Sequence, residues 1–94
     1  MLQYSTTLDG VFHALSDSSR RLMIERLTRG PASTSELGEP LDMSLSAVAQ
    51  HLKVLQASGL VRSEKRGRER LCHLEHKALD VAQGWLAKRR VKKR

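Results

Sequence analysis

In SLSAVAQHLKVL, residues 44 to 55, a single amide stands among short side chains. At about 100° per residue along a helix, Ser46, Gln50, Lys53 and Ala57 share one sector, with Ala47, Ala49 and Val54 to its sides. Such a face admits close approach. Gln50 can bond adenine N6 and N7 together, and an alanine methyl such as that of Ala47 can meet a thymine methyl. Ser46, Ala47 and Gln50 are therefore assigned to base edges. Lys53, one turn further on, suits a phosphate, and a helix N-terminus adds its own dipole and free N–H groups. Ser44 is a helix cap before it is a phosphate contact. His51 lies at the edge of this face and divides evenly between a phosphate contact and a hydrogen-bonded boundary residue.

A second set of residues points the same way. RSEKRGRER, residues 62 to 70, has five basic and two acidic side chains, and Arg66 and Arg68 flank Gly67 as a pair suited to phosphate or the minor groove. KRRVKKR, residues 88 to 94, holds six of the 17 basic residues and no acid, so residues 1 to 87 carry only +1 of the net +7. Positive charge confined to two places fits a polyanion held at defined contacts.

Other chemistry is poorly supplied. The chain has no Gly-rich phosphate loop, no nucleophile elbow and no HExxH, so it is not expected to be an enzyme. Cys72 is the single cysteine, which excludes an internal disulfide and a cysteine-cluster metal site. Cys72, His73 and His76 span a strand end and a helix start, short of the four or so ligands of a tetrahedral site. No metal and no cofactor is expected, and Cys72 is read as a small buried residue. The first residues, MLQYSTTLDG, lack a basic n-region, and no run approaches the ~18 apolar residues of a membrane span. A cytoplasmic protein without membrane contact is expected.

These residues must be held by a framework that the apolar spacing outlines. Leu8, Val11, Phe12 and Leu15 predict a first helix over residues 5 to 15. Ser16 or Asp17 caps a second, with Leu22, Met23, Ile24 and Leu27 as its apolar content, ended by Gly30-Pro31. Ser33 and Glu36 have capping-box spacing and begin a third helix of about two turns, limited by Gly38 and Pro40. Ser44 caps a fourth, on which Leu45, Val48, Leu52 and Leu55 form a stripe that must be buried, and Gly59 suits its end. Residues 60 to 66 and 69 to 74 then read as strands of a hairpin around Arg66-Gly67-Arg68. A last helix over residues 76 to 90 has Leu79, Ala82 and Leu86 on one face and Val81 and Trp85 beside it.

A mainly helical domain of order α-α-α-α-β-β-α follows, residues 1 to 87, with a basic tail at 88 to 94. A short helix, a tight turn, a second capped helix and a basic hairpin make a winged helix-turn-helix. Its recognition helix, residues 44 to 58, enters the major groove of duplex DNA, and its wing is residues 62 to 74.

LSDSSRRLMIERL, SELGEPLDMSLSAVAQHLKVLQASGLV and RGRER together resemble the ArsR family of bacterial winged-helix repressors, over roughly residues 8 to 87. Within it the chain is most similar to the branch without metal sites, which carries a tryptophan-leucine pair in the last helix, here Trp85-Leu86. The resemblance implies a homodimer that binds a palindromic operator and represses transcription. It also implies a dimer interface of the first and last helices, with Phe12, Leu15, Leu79, Trp85 and Leu86 in it. The family's metal sensors use cysteines on the third helix, where this chain has STSELGEP, or Asp and His on the last, where only Asp80 is offered. Ser18 stands where the family usually has proline, Ser46 where proline is common, and Ala49 where serine is usual. A ligand-, metal- or thiol-responsive sensor of the same family, and a module binding nucleic acid or protein nonspecifically, are the competing readings.

Overall fold

A computed structural model of the chain describes residues 8–91; the expected start of the first helix at residues 5 to 7 and the last three residues of the tail lie outside the described residues. Helix α1 (Leu8–Leu15) buries Val11 and Ala14 and leaves Phe12 and Leu15 half-buried on its flank. Helix α2 (Ser18–Leu27) starts on Asp17, whose carboxylate accepts the Arg20 backbone N–H at 3.1 Å. That bond holds the Asp17 carboxyl below its ordinary range. Met23, Ile24 and Leu27 enter the core, whereas Leu22, grouped with them from the sequence, is 53% exposed. At about 100° per residue it falls outside the arc that Met23, Leu27 and Ile24 share.

The end of α1 is closed by side chains of α2. Arg20 donates from Nε to the Ala14 carbonyl at 2.7 Å and from Nη2 to that of His13 at 3.1 Å, and Arg21 donates to the Leu15 carbonyl at 2.7 Å. These carbonyls belong to the last turn of α1, where that of His13 also accepts from the Ser16 N–H at 3.2 Å and Oγ at 2.6 Å, and cations suit the negative end of the helix dipole.

A short strand, β1 (Ala32–Ser33), precedes helix α3 (Thr34–Gly38), which opens on the expected capping box. Ser33 Oγ accepts from the Glu36 N–H at 3.1 Å while a Glu36 carboxylate oxygen accepts from the Ser33 N–H at 2.8 Å. A 3-10 turn (Glu39–Leu41) and Asp42, left-handed at φ 52°, lead into helix α4 (Leu45–Ala57). Ser44 caps α4 through the Ala47 N–H at 3.1 Å. At its other end the Leu60 N–H returns to the Leu55 carbonyl and the Gly59 N–H to that of Gln56, both at 3.0 Å. With Gly59 at φ 82°, this double closure is a Schellman motif, and Leu55 and Leu60 are both fully buried beneath it.

Strands β2 (Val61–Arg66) and β3 (Glu69–Leu74) form the hairpin, with Arg66 opposite Glu69 and Gly67 at φ 61° in the two-residue turn. β1 adds a third strand, Ala32 opposite Cys72 and Ser33 opposite Leu71, giving the antiparallel order β1-β3-β2. The sequence reading has no such strand, because two residues carry no period of their own and are held only by β3. Helix α5 (His76–Ala87) ends short of the expected residue 90, since residues 88 to 91 are exposed and have nothing to bury.

The core gathers Val11, Met23, Leu27, Leu37, Val48, Leu52, Leu55, Leu60 and Cys72, with Ala78 and Ala82 from α5. Burial pushes the Cys72 thiol pKa up, which keeps it an inert packing residue. Leu45 corrects the expected stripe: it is 61% exposed while Val48, Leu52 and Leu55 are buried. Standing in the first turn, Leu45 projects past the core onto the edge of a groove shared with Gly38, Asp42 and Met43.

Candidate nucleic-acid interface

Two contacts, one buried and one half-buried, hold α4 against its neighbours. Across the helix-turn-helix, a Cβ placed on Gly38 would stand 2.5 Å from Val48 Cγ2, so α3 and α4 approach as closely as a missing side chain permits. On the opposite flank His51 is half-buried, with Nδ1 3.3 Å from Arg20 Nη1. Held between these supports, α4 exposes Leu45, Ser46, Ala49, Gln50, Lys53, Gln56 and Ala57. Ala47, Val54 and His51 are half-buried on the side toward α1 and α2.

The exposed arc is thus turned from the one expected. Ser46, Gln50 and Lys53 lie in it, whereas Ala47 retreats to its border and Ala49 comes near its centre. Gln50 and Lys53 also line a largely apolar groove against Gly10 and His13 of α1. Ser44 is exposed, but its hydroxyl is engaged as the helix cap.

The hairpin has two chemically different faces. Residues directly opposite on an antiparallel ladder share a face, so Arg62, Glu64, Arg66, Glu69 and His73 lie on one side. There the charges pair: Arg62 with Glu75 at 3.3 Å, Arg66 with Glu64 at 3.7 Å, and His73 Nε2 with Glu64 at 2.6 Å. The hydrogen bond from His73 holds the Glu64 carboxyl below its ordinary range.

The other face continues outward from buried Val61 and Cys72 to Ser63, Lys65 and Arg70. Lys65 stands opposite Arg70, Arg70 donates to Ser63 Oγ at 3.3 Å, and neither cation has a carboxylate partner among the described residues. Like charges directly opposite on a ladder are destabilising. Arg68, at the tip, is exposed and likewise without a carboxylate partner among the described residues. Arg66, paired with Arg68 in the sequence reading, is therefore the more neutralised of the two, and Lys65 and Arg70 were missed. The signal was present in the alternation Val61-x-Ser63-x-Lys65, which ties both cations to the core-side face.

The helix-turn-helix domain family matches residues 15–64, from the end of α1 into β2. The HTH-type transcriptional regulator Rv2034 of Mycobacterium tuberculosis is 42% identical over 67 residues, 71% of this chain and 63% of that protein. The uncharacterized HTH-type transcriptional regulator YuzN of Bacillus subtilis is 36% identical over 86 residues, 83% of this chain and 94% of that protein. The crystal structure of an ArsR family transcriptional regulator superposes with a TM-score of 0.83 at 43% identity, covering 86% of this chain and 89% of the other. The chain belongs to the ArsR family.

It is an ArsR-family winged-helix transcriptional regulator, mostly helical with an antiparallel wing. The matched stretch spans less than two thirds of the Mycobacterium relative. In this ArsR-family chain Cys72 and His73 point to opposite faces of β3, and His73 is engaged with Glu64, so the cysteine-histidine cluster seen in the sequence is not brought together. Among the described residues no group of three or more His, Cys, Asp or Glu is placed to hold a metal ion, and no helix is long and apolar enough to cross a membrane.

The α1/α5 side of this regulator carries two exposed apolar side chains, Trp85 and Leu86, next to each other. Trp85 is 40% exposed, meets Phe12 edge-on with ring centroids 6.0 Å apart, and is covered on one face by the Arg89 guanidinium at 4.4 Å. Beside it, Leu15, Leu79, Ala82 and Leu86 line an apolar groove, with Leu86 53% exposed.

Proposed function

We propose that the chain is a homodimeric repressor that binds a palindromic operator, laying α4 in the major groove and the wing along the adjoining backbone. The observation that carries this reading is the exposed arc of α4, whose small side chains leave room for a base edge around Gln50. Gln50 reads adenine, Ser46 supplies a hydroxyl, and the methyls of Ala47 and Ala49 meet thymine. Lys53 and the N-terminal turn behind Ser44 take phosphates. In the wing, Lys65, Arg68 and Arg70 bind the backbone, since a polyanion relieves the uncompensated charge on that face. Arg66 contributes less, its charge being met by Glu64. The apolar α1/α5 face with Phe12, Leu15, Leu79, Trp85 and Leu86 is the dimer contact.

Selection of bound sequences from a random duplex pool tests the reading. A palindrome with half-sites about one helical turn apart, 34–36 Å, is the expected outcome. Enrichment of no sequence would leave only nonspecific binding. On the selected site, Gln50→Ala costs on the order of 1–3 kcal/mol and relaxes preference at one base position. Equal weakening on operator and random DNA would remove Gln50 from base readout.

The wing assignment has its own signature. Lys65→Ala and Arg70→Ala each lower the slope of log affinity against log salt by about 1, while Arg66→Ala changes it less. Because the two cations stand opposite one another, neither substitution lowers stability in the absence of DNA. A slope that responds to Arg66 and not to Lys65 or Arg70 would put the other face of the wing on the DNA.

A further inference from the structure

Arg20 is the most deeply buried charged residue described, at 9% exposure, and it makes three hydrogen-bonding contacts besides the charge of nearby Asp17. Two go to the carbonyls that end α1 and the third to His51 Nδ1 on α4. A guanidinium has only donors and keeps its proton at any pH a protein survives. A donor-only guanidinium can bond Nδ1 only through its lone pair, which leaves the ring proton on Nε2, and Asp17 stands near enough to feel the charge of both groups.

His51 Nε2 has no partner among the described residues. No buried polar side-chain atom among them lacks a partner either, so Nε2 reaches solvent. The ring thus keeps its second nitrogen accessible on the half-buried α1/α2 flank of the recognition helix, bordering the exposed arc.

We propose that Arg20 is a positioning residue: it fixes the tautomer and orientation of His51 so that Nε2–H is a preformed neutral donor to a DNA phosphate. This rests on the DNA-binding reading above and resolves the two roles left open for His51, which is at once a boundary residue through Nδ1 and a backbone contact through Nε2. Since the same guanidinium closes the end of α1, the donor is indexed to that helix and not only to α4. A neutral donor orients a phosphate without neutralising it, so the contact adds affinity without adding to the salt slope.

Long-range ¹H–¹⁵N correlation spectra of the full chain, free of DNA and at a pH where the ring is neutral, read the tautomer directly. The expected result is a bare Nδ1 and a protonated Nε2 in the wild type, giving way to a tautomer mixture in Arg20→Met. A ring protonated at Nδ1 in the wild type would overturn the proposal, as would a tautomer unchanged by Arg20→Met. If Arg20→Met does not fold, two substitutions at the ring decide. His51→Asn keeps an acceptor near Nδ1 and removes the outer donor; His51→Gln extends an amide N–H toward the place of Nε2. His51→Asn is expected to lose roughly tenfold in affinity on operator and random DNA alike, with an unchanged salt slope, and His51→Gln to recover most of that loss. Equal affinity of His51→Asn and wild type, or a salt slope lowered by about one in His51→Asn, sinks the neutral-donor contact. A wild type that binds no duplex would overturn the DNA reading and the phosphate contact together, while the tautomer spectra would still report on Arg20.

Discussion

Gly38→Ala is expected to destabilise the domain by roughly 1–3 kcal/mol, although alanine is the better helix former by about 1 kcal/mol. Gly38 sits at φ −84°, where any residue is comfortable, so the backbone gives no reason for glycine. The reason is Val48 Cγ2, which a new Cβ would meet at 2.5 Å. Val48 is fully buried and β-branched, and cannot swing aside without displacing other core side chains. Relief must come from α3 and α4 moving apart, which also shifts the recognition helix relative to the wing. Operator binding should fall by more than the unfolded fraction accounts for. For a domain of this size each kcal/mol lowers Tm by roughly 4–8 °C, so thermal unfolding resolves the effect. Gly38→Ala combined with Val48→Ala should shed most of the clash at the cost of a small cavity. If the single substitution leaves Tm unchanged, or the pair is merely additive, the helices are not held by this contact.

How much of this arrangement can be read from the residue string depends on how local its cause is. Asp17, Ser33 with Glu36, Ser44 and Gly59 each act within a few residues, and all four stand as helix signals where expected. Gly67 likewise serves a two-residue turn whose strands carry their own alternation. Leu45 fails for a different reason. Its place on the wheel matches Leu52, but burial depends on what lies over each turn, and Leu45 opens onto the groove beside Gly38, Asp42 and Met43 while Val48 in the same turn is buried.

Arg20 is the sharper case. One of two adjacent arginines on a helix, it looks like a solvated cation, and only the return of α1 and the approach of α4 make it a buried one. Its neighbour Arg21, with one bond to the Leu15 carbonyl, stays exposed. Lys65 and Arg70 fall between these extremes. Their shared face follows from register, which the turn sets, but the absence of acids on that face has meaning only once Glu64 and Glu75 are seen pairing elsewhere.

Leu86→Glu should produce the largest change in DNA binding with almost none in the fold. Leu86 is 53% exposed in the single chain, so a carboxylate there remains solvated and costs the monomer no more than a few tenths of a kcal/mol. Trp85→Ala is the poorer probe, because it also removes the edge contact to Phe12 and the stack under Arg89. In the proposed dimer the same patch meets its copy across a two-fold axis, so one substitution would place two carboxylates in the apolar centre of the contact. Sedimentation at micromolar concentration is expected to show a dimer for the wild type and a monomer for Leu86→Glu, with thermal unfolding of the variant no longer dependent on concentration. Operator affinity should then fall on the order of 10²-fold or more, since the second half-site is no longer engaged from within one molecule. Random-sequence binding is expected to fall less, since each chain keeps the wing cations Lys65, Arg68 and Arg70. A variant that stays dimeric places the subunit contact on another face, and one that turns monomeric yet keeps its operator affinity shows that a single recognition helix suffices.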